Sequence, residues 1–174
     1  MKPTVNLNSI HPAVLELIQA FGIKLIGYKQ AYGLGISRQE LPSDLSAGAY
    51  VCYMDLIAYN GSPPIGFEDI NRTILHEIIH WTGHGDRLKR KPIQLGQRML
   101  YAANSVDELH TEEAIAEIGM YRLAVYLGLE KEDKYLDLMI HYLSRYELAH
   151  IDVACREATR AVNFVVEQME RKAT

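Results

Sequence analysis

Five residues, His76-Glu77-Ile78-Ile79-His80, form the pattern H-E-x-x-H. Residues four apart share one face of an α-helix, with Cβ atoms about 5–6 Å apart. Two imidazoles so placed can converge on one metal ion at roughly 2.0–2.1 Å each. Zinc suits the pair, because it polarises a carbonyl and brings the pKa of a bound water toward neutrality. Glu77, next to the first histidine, would face the open coordination position and accept the water's proton. The spacing therefore points to hydrolysis, with His76 and His80 as ligands and Glu77 as general base.

A third ligand has two sources. Sites of the metzincin type turn the chain at a glycine and take a ligand six residues past the second histidine. Here those positions hold Gly83 and Asp86. The other source is "HTEEAIAEIG", His110–Gly119. Glu113 and Glu117 stand four apart, so one could bind the ion while the other hydrogen-bonds a ligand histidine from behind. Ala114, Ala116 and Gly119 leave room for close helix–helix approach, and two histidines plus a glutamate is the thermolysin-like donor set. His84, four residues past His80, is a candidate fourth ligand, but the flanking glycines assign it a supporting role. His110, one turn before Glu113, could donate to a developing oxyanion. Tyr50 and Tyr101 have the same chemistry, with nothing to single them out.

The elements that must hold these residues are legible in outline. "SIHPAVLELIQAFG" reads as a short helix with Ser9 as cap, an early Pro12 and a stop at Gly22. "IKLIGYK" and "AYVCYMDLIAY" are rich in β-branched and aromatic residues and read as strands. "NGSPPIG" is a loop, since two prolines cannot sit in a central strand. From Glu68 the period is helical: Ile70, Ile74 and Ile78 recur every four residues, Asp69 is placed to cap, and Gly83 and Gly85 end the run. Ile74 and Ile78 lie away from the His76/His80 face, and Trp81 is expected to anchor the core beneath it. A basic stretch with Arg87, Lys89, Arg90 and Lys91 reads as solvated surface that could pair with Glu112 or nearby acids. Ser105 and Glu108 make a capping box for a helix that should stop at Gly128. Two further amphipathic helices follow, over 131–146 and 150–170. Helix, small sheet, then helices is an α+β layout in a single domain spanning 1–174.

Composition excludes other classes. The chain has 174 residues, 48% hydrophobic and 23% charged, with a net charge of −4. That is an ordinary globular composition with no global attraction for nucleic acid or an acidic membrane. No apolar run approaches the roughly 18 residues a bilayer span needs, and the N-terminus lacks a signal-peptide core. The two cysteines, Cys52 and Cys155, have no C-x-x-C spacing and read as reduced thiols of a cytoplasmic protein. His11, His141 and His150 lack partner spacing and read as structural.

"TILHEIIHWTGHGDRLKR" followed by "ELHTEEAIAEIG" resembles the C-terminal metallopeptidase domain of ArdC-type antirestriction proteins, a family carried by plasmids and phages. The shared positions are His76, Glu77, His80, Trp81, Thr82, Gly83, His84, Arg87, Leu88 and Arg90, then Glu112, Glu113, Ala116 and Glu117. "CREATRAVNFV" is similar to the family's last helix, so the likeness runs from about Ala49 to Met169. It implies a zincin-like fold with a small sheet flanking the active-site helix. It also implies Glu113 as third ligand with Glu117 behind a histidine, leaving Glu112 and Asp86 as fallbacks, because the family often has serine at the position of Asp86. The chain departs from the family at Leu109-His110-Thr111, where Tyr-Ala-Arg is usual. The residues ahead of Ala49 are too few for the family's single-stranded-DNA-binding domain.

The expectation is thus a zinc-dependent peptidase of a phage or mobile element, acting on a protein or peptide substrate against host defence. An extended substrate could pair with the strand containing "VCYMDLIAY". The alternative is a non-catalytic binder of a host factor in which the metal only supports the fold.

Overall fold

The computed structural model describes residues 9–41, 47–62, 69–90, 106–131 and 148–173. The expected cap Ser105, the helix expected over 131–146, Tyr101, Lys91 and His141 fall wholly or mainly outside them. The elements in chain order are α1 (Pro12–Phe21), β1 (Lys24–Gly27), α2 (Tyr28–Gly33), β2 (Gly48–Val51), β3 (Leu56–Tyr59), α3 (Ile70–Thr82), α4 (Val106–Tyr126) and α5 (Leu148–Ala173). This is the α+β layout expected, with the sheet confined to the N-terminal part.

Local chemistry sets the boundaries. Pro12 occupies the first turn of α1, and the cap is His11 rather than Ser9, its Nδ1 accepting from the Ala13 amide. Gly22 ends the helix in the left-handed region (φ 64), which glycine adopts without strain. Asp69 caps α3 by accepting from the amides of Asn71 and Arg72.

Two expectations need correction. "IKLIGYK" is a strand only to Gly27, after which the chain turns into α2. "AYVCYMDLIAY" is a hairpin, not one strand: β2 and β3 pair antiparallel from Gly48↔Tyr59 to Val51↔Leu56. A 3-10 turn at Cys52–Met54 and left-handed Asp55 (φ 47) reverse the chain. Aspartate is among the few non-glycine residues that accept that conformation readily.

The sheet order is β1-β3-β2, with β1 parallel to β3. Central β3 is apolar on both faces because both are covered. Leu56 and Ala58 pack with Tyr28, Ala31, Ile36 and Leu41 on the α2 side. Ile57 and Tyr50 join the main core, built around α3 and shared with α1, α4 and α5. Ile74, Leu75, Ile78 and Ile79 of α3 are wholly buried there. α4 crosses α3 closely at Gly119, where a Cβ would stand 2.9 Å from two Ile79 side-chain atoms. Small residues at this crossing bring the glutamates of α4 against the histidines of α3.

Candidate metal centre

α3 is held from two sides by its apolar face, so its polar stripe of His76, Glu77 and His80 is fixed in direction before any ligand is considered. His76 and His80 turn their Nε2 atoms toward each other at 3.1 Å. Glu113 of α4 completes the group: its carboxylate oxygens lie 3.4 Å from His76 Nε2 and 3.6 Å from His80 Nε2. Among the described residues these three form the cluster able to hold a metal ion. The separations can be tested against zinc geometry. Donors about 2.0–2.2 Å from one tetrahedral ion stand roughly 3.3–3.6 Å apart. The observed spacings match to within a few tenths of an ångström, and two imidazoles with one carboxylate are a zinc donor set.

The opposite edge of each ring is also held. His80 Nδ1 lies 3.1 Å from Glu112 Oε1, and His76 Nδ1 lies 3.3 Å from Glu117 Oε1. A carboxylate at Nδ1 keeps the proton there and leaves Nε2 as the lone-pair donor. Three glutamates of one helix therefore take three stations: Glu113 between the rings, Glu112 and Glu117 behind them.

Glu77 is buried, and from the outer edge of β2 a backbone hydrogen bond from Tyr50 reaches its carboxylate. Gly48 lets the strand come this close, since a Cβ there would meet Thr73 Cγ2 at 2.8 Å and Glu77 Cγ at 3.2 Å. Burial raises the Glu77 pKa above its ordinary value, and the neighbouring His76 and His80 oppose that rise without cancelling it. Burial also works against ionisation of Glu113, but the charges of His80 and His76 hold its carboxyl down at about 2.

The remaining candidates lie elsewhere. Asp86 does not join the cluster. Its side chain is 90% exposed and faces His84 Nδ1 at 3.5 Å. His84 accepts from the Asp86 amide in that same turn, and neither residue is part of the cluster of His76, His80 and Glu113. The glycine-turn spacing fails because α3 ends in a tight turn held by Gly83 and Leu88 amides on His80 and Thr82 carbonyls. His110 is exposed on α4 and is not part of the cluster. Tyr50 directs its hydroxyl to Asp55 rather than to the cluster.

The basic stretch also departs from the expectation of a solvated surface. Arg90 is buried and Arg87 half-buried. Arg87 donates to the Trp81 carbonyl, to both Asp55 carboxylate oxygens and to Tyr50 Oη, and its guanidinium lies 3.9 Å over the Trp81 ring. Trp81 is the core anchor expected, packed against Phe21 and Phe164. Arg90 is buried against Glu112. The pairing of Arg90 with Glu112 was among the expectations for this stretch, but a run of basic residues carries no sequence signal for burial.

One titration follows from this geometry. Burial alone would lower the His76 pKa, but hydrogen bonds to Glu113 and Glu117 and the charge of Glu77 lift it well above its ordinary value. The metal-free cluster therefore holds a proton on His76 to higher pH than an ordinary histidine does, and, against the effect of burial, His80 is raised too, by the charge of Glu113 and its contact with Glu112. An ion needs the neutral ring, so uptake must release that proton. Apparent zinc affinity should rise with pH until His76 deprotonates in the metal-free state, then level off. Calorimetry in buffers of differing ionisation enthalpy should read net proton release on zinc binding, larger at lower pH. Release of none would contradict the arrangement.

Comparison with known proteins places this geometry in context. Residues 62–154 match the family model described as zincin-like metallopeptidase. No curated protein matches the chain. Among solved structures, the chain is similar to the antirestriction protein ArdC from the R388 plasmid in its Mn(II)-bound form, with 23% sequence identity and a TM-score of 0.55. That match covers 91% of this chain and 52% of the other, so the chain spans about half the length of the ArdC chain. Among the described residues, no helix is long and apolar enough to cross a membrane.

Proposed function

The chain belongs to the zincin-like metallopeptidase family, and from that premise we propose that it is a zinc-dependent peptidase using His76, His80 and Glu113 as ligands and Glu77 as general base. The observation that carries this reading is the convergence of two Nε2 atoms and one carboxylate at ion-sharing distances beside a buried glutamate. When bound, zinc would polarise the scissile carbonyl and make a water acidic enough to attack at neutral pH. Glu77 is placed to hold and move a proton: it would accept one from the attacking water and deliver it to the leaving amine, a role suited to a carboxylate whose burial has raised its pKa. The Tyr50 amide fixes the carboxylate's direction, so the base is aimed before substrate arrives. β2 has β3 on one side, and its outer edge faces α3. Because the Tyr50 amide on that edge is already taken by Glu77, an extended peptide could pair only with the remainder of the β2 edge beside it. The structural likeness to a plasmid antirestriction protein supports a role for the chain on a mobile element, directed at a host defence.

The experiment is peptide hydrolysis under metal control. Cleavage of an unstructured protein substrate should stop on chelation and return on addition of zinc. Cleavage that survives complete metal removal would overturn the proposal.

A further inference from the structure

Arg90 turns back over the end of α3. Lys89 before it takes a left-handed conformation (φ 57), and the Arg90 amide donates to the Gly83 carbonyl at 2.9 Å. The reversal carries the guanidinium inward, where its side chain is 4% exposed and the Glu112 side chain is fully buried. Nε lies 2.9 Å from Glu112 Oε2 and 3.2 Å from Oε1, and Nη2 lies 2.7 Å from Oε1. The far side of the fork donates to Thr82 Oγ1 at 2.8 Å and to the Ile79 carbonyl at 2.6 Å. Thr82 and Ile79 belong to the last turn of α3, so one guanidinium joins the end of α3 to α4.

A guanidinium has donors only, so both Glu112 oxygens facing it must accept. Glu112 Oε1 then has no proton to offer His80 Nδ1 at 3.1 Å and must accept from it. The His80 proton is thereby confined to Nδ1, and its Nε2 lone pair faces His76 and Glu113. Without the guanidinium, nothing else among the described residues holds the Glu112 carboxylate in the plane from which it accepts the His80 Nδ1 proton. The two-pronged contact needs a planar fork, which lysine lacks.

We propose that Arg90 is a positioning residue for the metal centre: by clamping Glu112 with its fork while bonded to the end of α3, it sets the tautomer and ring orientation of His80. This deepens the metal-centre reading above and rests on it. The turn 83–90 after α3 becomes part of the site, although none of its residues belongs to the cluster of His76, His80 and Glu113.

The test uses the full chain as wild type, Arg90→Met, Arg90→Lys and the double variant R90M/E112L. Zinc affinity is read by competition with a chromophoric chelator, the ligand field by absorption of the cobalt-substituted protein, and folding by circular dichroism and thermal melting. Both single variants should bind zinc roughly ten- to a hundred-fold more weakly, the range seen when a partner of a ligand histidine is removed, with an altered cobalt spectrum. The double variant removes both buried charges while keeping most of the volume, so it should recover thermal stability without recovering affinity. Wild-type affinity and spectrum in a folded single variant would overturn the proposal. So would a double variant whose affinity returns together with its stability, because Arg90 would then serve folding alone. If Arg90→Met does not fold, Arg90→Lys and the double variant decide by the same two readings. A wild-type chain that takes up no zinc would overturn the metal-centre reading itself, a result distinguishable from either.

Discussion

Glu77→Gln is expected to retain zinc with little change in affinity and to lose peptide hydrolysis, with kcat down roughly 10²–10⁴-fold, the usual contribution of a positioned general base. Glutamine preserves the shape of the buried side chain and can still accept the Tyr50 amide, so the hairpin and α3 should keep their spacing. It cannot take up a proton. Zinc binding and melting temperature therefore serve as internal controls, and the loss should appear in kcat more than in KM. Undiminished cleavage by this variant would sink the mechanism. A host-directed activity that persists in Glu77→Gln but disappears in His80→Ala would favour the non-catalytic binder, in which metal supports structure alone.

A second large effect separates the carboxylates. Structural zinc sites release roughly 10–16 kcal/mol through four ligands, so one ligand is worth about 3 kcal/mol, more than a hundredfold in affinity. Glu113→Ala should lose that much, because Glu113 faces both Nε2 atoms. Glu117→Ala should lose roughly ten- to a hundred-fold, since it stands behind His76 at 3.3 Å. Asp86→Ala should lose nothing measurable, its side chain being open to water. Zinc titration of the three variants checks the ranking. If Asp86→Ala fell as far as Glu113→Ala, the ligand set would have to be redrawn around the turn after α3.

The legible parts of the site are those that depend on helical period. His76, Glu77 and His80 share a face because of 3.6 residues per turn, and Asp69 and Gly83 mark the ends by their own chemistry. The division of labour among Glu112, Glu113 and Glu117 was not legible from period alone. Adjacent residues on a helix diverge by about 100°, and which of them meets the ion depends on how α4 is rotated against α3. That rotation is set by a contact at Gly119, about half a turn past Glu117 and about two turns past Glu112. Family resemblance supplied the choice of Glu113 that spacing left open against Asp86. The hairpin was missed because its reversal contains neither glycine nor proline, only Asp55 in a conformation that aspartate tolerates. The burial of Arg90 was not legible for a different reason: it results from a backward turn at Lys89, and lysine carries no preference for left-handed backbone.

Trp81 gives the molecule an optical signal at the joint of its parts. It is the single tryptophan of the chain and follows His80 directly. Phe21 of α1 and Phe164 of α5 pack on its ring, while Arg87, tied to the hairpin through Asp55, lies over its face. A buried indole beneath a cation emits differently from one in water. Any event that slackens the helix carrying the histidines, separates the terminal helices from it or frees the hairpin must therefore alter the same fluorescence. Unlabelled protein thus reports, through one residue, whether the frame of the site is assembled.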